Sequence, residues 1–415
     1  MKTEDLRELL IRQRKIYEEF LIERERRSDL DALDEFVTVI TGVRRCGKST
    51  LLKQAFFEES YFVNFDDERF INFRIEDFSK LFELLHELFG NKKYFIFDEV
   101  QNVTGWERFV RRLNNEKMKV FITGSNANLL SRELGTYLTG RTIMIELYPF
   151  SFREFLLFKG LSFDVKRLVL EEKAELKRQF YEYMEIGGFP EYVRTKKPEY
   201  LQALFNNIIF RDIVGRYKIR AERELREIVL HAMSNLAKEI SYNSLRKLTG
   251  LSNTSTISDF FYYFENSYLL FTVHRYDNSL KKQINNPKKV YCIDTGLAFQ
   301  LGFRTSEDKG RLLENIVFLQ LKRLGKDIYF HKRKYECDFL IKDGIRITNA
   351  IQVCHSLDTV NREREYRGLC EAIEEHKLNQ GTILTFEQEE EINYNGKKVI
   401  IEPVYKWLLE GNALQ

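Results

Sequence analysis

Residues 40–50 read Ile40-Thr41-Gly42-Val43-Arg44-Arg45-Cys46-Gly47-Lys48-Ser49-Thr50, a glycine, four residues, then Gly-Lys-Ser. Glycines at that spacing let successive backbone N–H groups converge on a polyphosphate. The cradle predicted for a nucleoside triphosphate runs over Gly42, Val43, Arg44, Arg45, Cys46, Gly47, Lys48, Ser49 and Thr50. Lys48 is expected to reach the β/γ-phosphates, and the Ser49 hydroxyl to ligate Mg²⁺. Asp98 is expected to join Ser49 at the metal, and Glu99 to orient or deprotonate a water attacking the γ-phosphate. An Asp-Glu pair after an apolar run equally suits helix capping; its company with the phosphate loop favours hydrolysis. Thr123-Gly124-Ser125-Asn126 offers Ser125, then Asn126, as the polar group that senses the γ-phosphate or the water, against a plain turn. Arg141 is expected to stabilise transition-state charge in its own chain or across a subunit interface, against a surface ion pair.

These groups need strand ends to hold them. Phe36-Val37-Thr38-Val39-Ile40 reads as a buried strand entering the loop, and Leu51–Phe56 as the helix leaving it, its positive dipole end aimed at the phosphates. Tyr94-Phe95-Ile96-Phe97 carries Asp98 and Glu99 at its carboxyl end, where parallel α/β sheets place ligands. Lys119–Ile122, Tyr61–Phe65 and Ile143–Leu147 complete a five-stranded parallel sheet. Leu6 to Arg27 is predicted helical, with Leu9, Ile16, Phe20 and Ile22 on its docking face and its charges toward solvent.

The loop, Phe97-Asp98-Glu99-Val100-Gln101, Gly105-Trp106, Thr123–Asn126, Gly140-Arg141, Pro149-Phe150-Ser151-Phe152-Arg153-Glu154-Phe155 and Gly187-Gly188-Phe189-Pro190-Glu191 together carry a likeness. Over nearly its whole length the chain resembles a prokaryotic AAA-type P-loop ATPase family. The resemblance implies Mg²⁺-ATP binding and hydrolysis, and a C-terminal region holding a winged helix and a restriction-endonuclease-like fold of unknown function. The expected α/β organisation is an N-terminal helix (1–36), an ATPase core (37–150), a helical lid (151–228), a winged helix-turn-helix (229–290) and an endonuclease-like domain (291–415).

Residues 244–248, the Thr249-Gly250-Leu251 turn and a helix through Asn266 capped by Ser252 or Asn253 fit the winged helix, with Leu269–Val273 as a wing strand. From Arg216 to Val290, 13 Lys/Arg oppose 7 Asp/Glu, which invites DNA. Yet Leu251 to Glu265 holds no Arg or Lys, and the run Phe260–Phe264 suits core packing better than base stacking. Phosphate contacts by Lys281, Lys282, Lys288 and Lys289 stay open.

In the last segment Glu314 and Asp338 occupy the acidic positions of an endonuclease-like core, but Gln352 and Cys354 stand where that chemistry needs Glu-x-Lys. A migrated Lys332 or Lys334 is the one compensation the segment offers; the domain is expected to be inactive, with Glu314 and Asp338 as structural remnants.

The 415 residues allow two to four domains. Lys+Arg 66 against Asp+Glu 63 leaves +3, which speaks against a chain-wide nucleic-acid footprint. Five cysteines without CxxC spacing argue against a zinc site or disulfide framework, and Cys46 is expected to be exposed to ligand and open to alkylation. No apolar run reaches the ~18–20 residues of a membrane span, so a cytoplasmic protein is expected. The functions left open are an ATPase switch driving C-terminal modules, an ATP-dependent DNA-acting protein, and a nucleotide-gated scaffold for a second copy or a protein partner.

Overall fold

A computed structural model describes residues 1–15, 22–30, 36–126, 140–302 and 309–410. The chain divides into two compact units, Met1–Tyr148 with Asn266–Tyr268, and Pro149–Glu265 with Leu269–Gln415.

The first unit holds five strands, β1 (Val37–Thr41), β2 (Ser60–Asn64), β3 (Tyr94–Asp98), β4 (Lys119–Gly124) and β5 (Thr142–Glu146), in the order β2-β3-β4-β1-β5. Every pairing is parallel. Parallel strands need crossovers, and the helices that make them bury both sheet faces, which is why these strands read as continuous apolar runs. Side chains alternate between the faces. Val37, Val39, Tyr61, Val63, Phe95, Phe97, Val120 and Ile122 share one core with three helices. These are α1 (Thr3–Lys15) through Leu6, Leu9 and Leu10, α3 (Asp77–Phe89) through Phe78, Leu81, Leu84 and Leu85, and α4 (Trp106–Asn115) through Trp106, Phe109, Val110 and Leu113. On the opposite face α2 (Lys48–Phe56) stacks Phe56 on Phe121 at 4.7 Å. The predicted N-terminal helix is described as far as Lys15, with Leu6, Leu9 and Leu10 in the core; Ile16 and Phe20 lie outside the described residues, and a 3₁₀ turn occupies Glu25–Leu30.

The second unit contains β6 (Glu239–Ile240), β7 (Leu270–Arg275), β8 (Lys288–Cys292), β9 (Asp327–Lys332), β10 (Glu336–Asp343), β11 (Arg346–Val353), β12 (Gln380–Thr385), β13 (Glu390–Tyr394) and β14 (Lys397–Pro403). They form one sheet in the order β13-β14-β12-β11-β10-β9-β7-β8-β6. The parallel contact of β7 with β9 joins the antiparallel β6-β8-β7 ribbon to the rest. Residues 151–234 are mainly helical and include a π-helical stretch at Ile208–Gly215. There Asp212, buried in the stretch, lies 4.0 Å from Arg216, a local ion pair. The lines drawn at 228/229 and 290/291 fall inside the helix Glu222–Ser234 and inside β8. The helix pair Tyr242–Thr249 and Thr254–Asn266 turns at Gly250; within the aromatic run Phe260, Phe261 and Phe264 are buried core, while Tyr262 is exposed. Among the described residues no helix is long and apolar enough to cross a membrane.

Candidate nucleotide site

The loop between β1 and α2 is set by two glycines. Gly42 has φ +147°, and a Cβ there would fall 2.1 Å from the Leu147 carbonyl oxygen. Gly47 has φ +102° and caps α2, leaving the first amides of that helix without side-chain acceptors. Those amides and the dipole behind them favour an anion. Lys48 is buried, and its Nζ donates to the Gly42 and Val43 carbonyls at 3.0 and 3.1 Å, which fixes the ammonium against the loop.

At the end of β3 the Asp98 carboxylate accepts from Ser49 Oγ at 2.7 Å and from Thr123 Oγ1. Thr123 Oγ1 in turn accepts from the Glu99 amide at 3.1 Å. β4 lies between β1 and β3, so the Thr123 hydroxyl spans the distance between the metal-side acid and its neighbour. Two hard oxygen donors in contact, one a carboxylate, match what Mg²⁺ takes from protein. Glu99 sits at φ +51° and caps no helix with its side chain, which removes the capping alternative for this residue. Its Oε1 lies 3.9 Å from Lys48 Nζ, and its Oε2 accepts from Gln101 Nε2 at 2.5 Å. Burial pushes the Glu99 carboxyl above the ordinary glutamate range; Lys48 opposes that shift, Asp98 adds to it and Arg44 opposes it. A carboxylate whose proton affinity is raised in this way, beside a cation, suits a general base.

Ser125 follows the Thr41–Gly124 pair by one residue, at the same end of the sheet as the loop. Its Oγ is fully buried and has no hydrogen-bond partner among the described residues. Buried hydroxyls nearly always have a partner, so this one is a candidate ligand contact. Asn126 is buried beside it.

Arg141 lies elsewhere. It immediately precedes β5, its carbonyl accepts from the Val37 amide at 3.0 Å, and its guanidinium donates to Asn115 Oδ1 at 2.8 Å. Val37 begins β1, so Arg141 sits at the amino end of the sheet, a strand length from the phosphate loop. Parallel topology forces that separation, and the expected role within its own chain is corrected accordingly. The expected exposure of Cys46 is corrected too. Its side chain is buried, its Sγ donates to the Leu147 carbonyl at 3.3 Å, and burial raises the thiol above its ordinary range. The same Leu147 carbonyl excludes a side chain at Gly42.

Three residues escaped the sequence reading. Thr123 carries no motif signal beyond its place at a strand end. Arg24, in a charged run that reads as solvated, is buried and donates to the Cys46 carbonyl at 2.7 Å and the Tyr148 carbonyl at 2.8 Å, bracing the loop from behind. Tyr268, far along the chain, donates to Thr41 Oγ1 at 2.8 Å, one residue before Gly42, and also contacts Glu146 Oε1 at 3.1 Å. No local pattern points to a contact over 227 residues.

A second polar cluster lies in the other unit. Lys289 Nζ stands 2.7 Å from Asp338, 2.8 Å from Glu336 and 3.0 Å from Glu314. Tyr291 donates to Glu314 at 2.6 Å, the Val353 amide to Asp338 at 2.9 Å, and Gln352 to Glu365 at 2.6 Å. Lys289 is 1% exposed, and Lys288 is buried as well, so neither is a phosphate-backbone contact; Lys281 and Lys282 alone of the four expected lysines are exposed. The ammonium at the centre of this cluster is that of Lys289, on β8, which straddles the expected boundary at 290/291; Lys332 touches the cluster only through Glu336, at 3.1 Å.

Comparison with known proteins agrees with the first unit. Residues 34–156 match the family described as AAA domain, and residues 177–308 match a domain of unknown function. An uncharacterised protein of Methanocaldococcus jannaschii is 37% identical over 90% of this chain and 88% of its own length. An uncharacterised Haemophilus influenzae protein is 30% identical over 91% of this chain and 95% of its own. A STAND protein with a tetratricopeptide repeat sensor from Pyrococcus horikoshii aligns at 16% identity and a TM-score of 0.28, over 74% of this chain and 46% of that structure, so the chain spans less than half of it. Identity and coverage with the first two relatives place the chain in their family, and in this chain an AAA domain of the P-loop type is joined to a domain of unknown function.

Proposed function

We propose that the chain is a Mg²⁺-dependent ATPase whose first unit binds and hydrolyses ATP and whose second unit responds to the nucleotide state. The observation that carries this reading is the 2.7 Å contact of Ser49 with Asp98, made beside a glutamate 3.9 Å from Lys48. In that arrangement the loop amides and Lys48 hold the β/γ-phosphates, and Ser49 and Asp98 hold the metal. The metal, when bound, would neutralise charge that develops on the β- and γ-phosphates. Glu99 orients a water and accepts its proton, and the unpartnered Ser125 hydroxyl donates toward the γ-phosphate or that water. Arg141 would serve only across a subunit interface, where an arginine supplied in trans stabilises transition-state charge. ATP is preferred over GTP because of the family likeness and because the chain has no Asn-Lys-x-Asp segment to read guanine. Turnover measured with and without Mg²⁺, on wild type and on Lys48→Ala, tests the reading. Wild type without Mg²⁺-dependent binding or hydrolysis sinks it.

The endonuclease-like reading of the second unit is retained as a shape and not as an activity. The Lys289 ammonium stands among Glu314, Glu336 and Asp338, so these acids are neutralised by a cation from the same chain. Burial of Glu314 and Asp338 also keeps a phosphodiester away from those two. DNA binding through Lys281 and Lys282 remains the rival role for this unit; salt-dependent gel shifts decide it, and no retardation at low ionic strength removes it.

A further inference from the structure

His331, Glu375 and His376 meet at one place in the second unit, and neither the nucleotide site nor the Lys289 cluster uses them. His331 is on β9; Glu375 ends the helix Arg362–Glu375 and His376 caps it. One ligand atom from each lies within 4.8 Å of the other two.

The hydrogen bonds around them sort the donors from the acceptors. His331 Nε2 faces Glu371 Oε2 at 3.4 Å, and His331 Nδ1 faces Glu375 Oε2 at 4.0 Å. A neutral ring carries one N–H. Placed on Nε2, that proton is donated to Glu371, and Nδ1 is left with a lone pair aimed at a carboxylate oxygen. Lone pair against carboxylate is repulsive unless a cation lies between them. The third participant adds an independent observation: His376 Nε2 is buried and has no hydrogen-bond partner among the described residues. Arg333 holds Glu375 from outside, with Nη2 to Oε1 at 2.9 Å and Nε to Oε2 at 3.1 Å. A carboxylate has about four lone-pair directions, so that pairing orients Glu375 without using it up.

We propose that His331 Nδ1, Glu375 and His376 Nε2 bind a late first-row divalent cation, Zn²⁺ foremost, with Glu371 orienting His331 as its hydrogen-bond acceptor. Two histidines and one carboxylate are a known ligand set for zinc, with a further position left for water. Donors each ~2.1 Å from a zinc ion are up to ~4.2 Å apart, so small side-chain rotations close the site. A carboxylate–histidine–metal chain of this form fixes the ring tautomer and raises ligand basicity. Glu375 and His376 also line a cavity of about 1070 Å³, with Tyr276, Asn278, Arg346 and Gln380 on its walls, which gives an ion a route in.

The test uses the full chain carrying Asp98→Ala, so that the phosphate loop contributes no metal. After stripping with a chelator and equilibration in buffered Zn²⁺, elemental analysis is expected to find one zinc per chain. His331→Ala and His376→Ala each weaken binding by more than about 100-fold, and Glu371→Gln, which touches no metal, weakens it by ~10–100-fold. Co²⁺ in place of Zn²⁺ is expected to give visible ligand-field bands, lost in His376→Gln. Should the alanine variants fail to fold, the unaltered cluster still decides: no retained Zn²⁺ and no Co²⁺ bands overturn the site. Zinc retained equally by a folded His331→Ala/His376→Ala double variant overturns it as well.

Discussion

The proposed chemistry of the first unit rests most heavily on a single carboxylate. Glu99 is held in a left-handed backbone conformation between Lys48 and Gln101, and burial raises its carboxyl above the ordinary glutamate range. Glu99→Gln keeps size and hydrogen-bonding capacity but cannot accept a proton. Its ATP turnover is expected to fall by ~10²–10⁴-fold, the usual contribution of a positioned base, while ATP affinity holds. Equal loss of affinity in a nucleotide titration would refute the role as base. The pH profile carries a second expectation. Turnover needs the ionised form, so it declines as pH drops through the raised Glu99 value, and Glu99→Gln loses that limb. A carboxyl with a raised folded value stabilises the fold below its unfolded value and loses that contribution as pH rises through the folded one. The acid-side decline in rate is therefore not unfolding through this group, and circular dichroism across the same range checks it.

Among the elements, the strands decide which charges meet. β8 brings Lys289, β10 brings Asp338, and the helix Lys309–Arg323 brings Glu314 into one buried cluster, with Glu336 of β10 at its partly exposed edge. Removing one partner of a buried pair leaves uncompensated charge, which costs ~3–5 kcal/mol. Lys289→Met is expected to destabilise the fold by about that amount, read by denaturant titration. A change below ~1 kcal/mol would mean that the cluster adjusts by protonation. Its acids are already inclined that way, since burial, with Asp338 second, pushes Glu314 up to about 8. In the phosphate loop the corresponding element-level constraint is steric, because any side chain at Gly42 collides with the carbonyl of Leu147 at the end of β5.

For the whole molecule, ligand binding and assembly give the relevant measurements. Mg²⁺-ATP at 100 times its dissociation constant is expected to stabilise the folded chain by about 2.7 kcal/mol, and the Lys48→Ala variant by much less. A thermal shift identical in the two would separate stabilisation from the phosphate loop. Arg141 supplies a test of association. Because it sits at the amino end of the sheet, any catalytic use of it needs a second copy. Specific activity that rises with protein concentration, and loses that rise in Arg141→Ala, would place it there. A flat dependence in both proteins assigns Arg141 to its pairing with Asn115.

The phosphate loop, the five parallel strands and the pairing of Ser49 with Asp98 were legible in the sequence because each rests on short-range chemistry. Glycine spacing sets a loop, β-branched runs set strands, and the carboxyl ends of parallel strands collect the ligands. The places of Arg141, Cys46, Thr123, Arg24 and Lys289 were decided only in three dimensions. Strand order put Arg141 at the far end of the sheet, and packing buried Cys46 against a carbonyl 101 residues away. An internal lysine arrived among the acids from outside the segment expected to contain them. Local sequence restricts the backbone of a few residues at a time, whereas burial and charge neutralisation are settled by which distant segments close over a group, and no spacing within one segment encodes that.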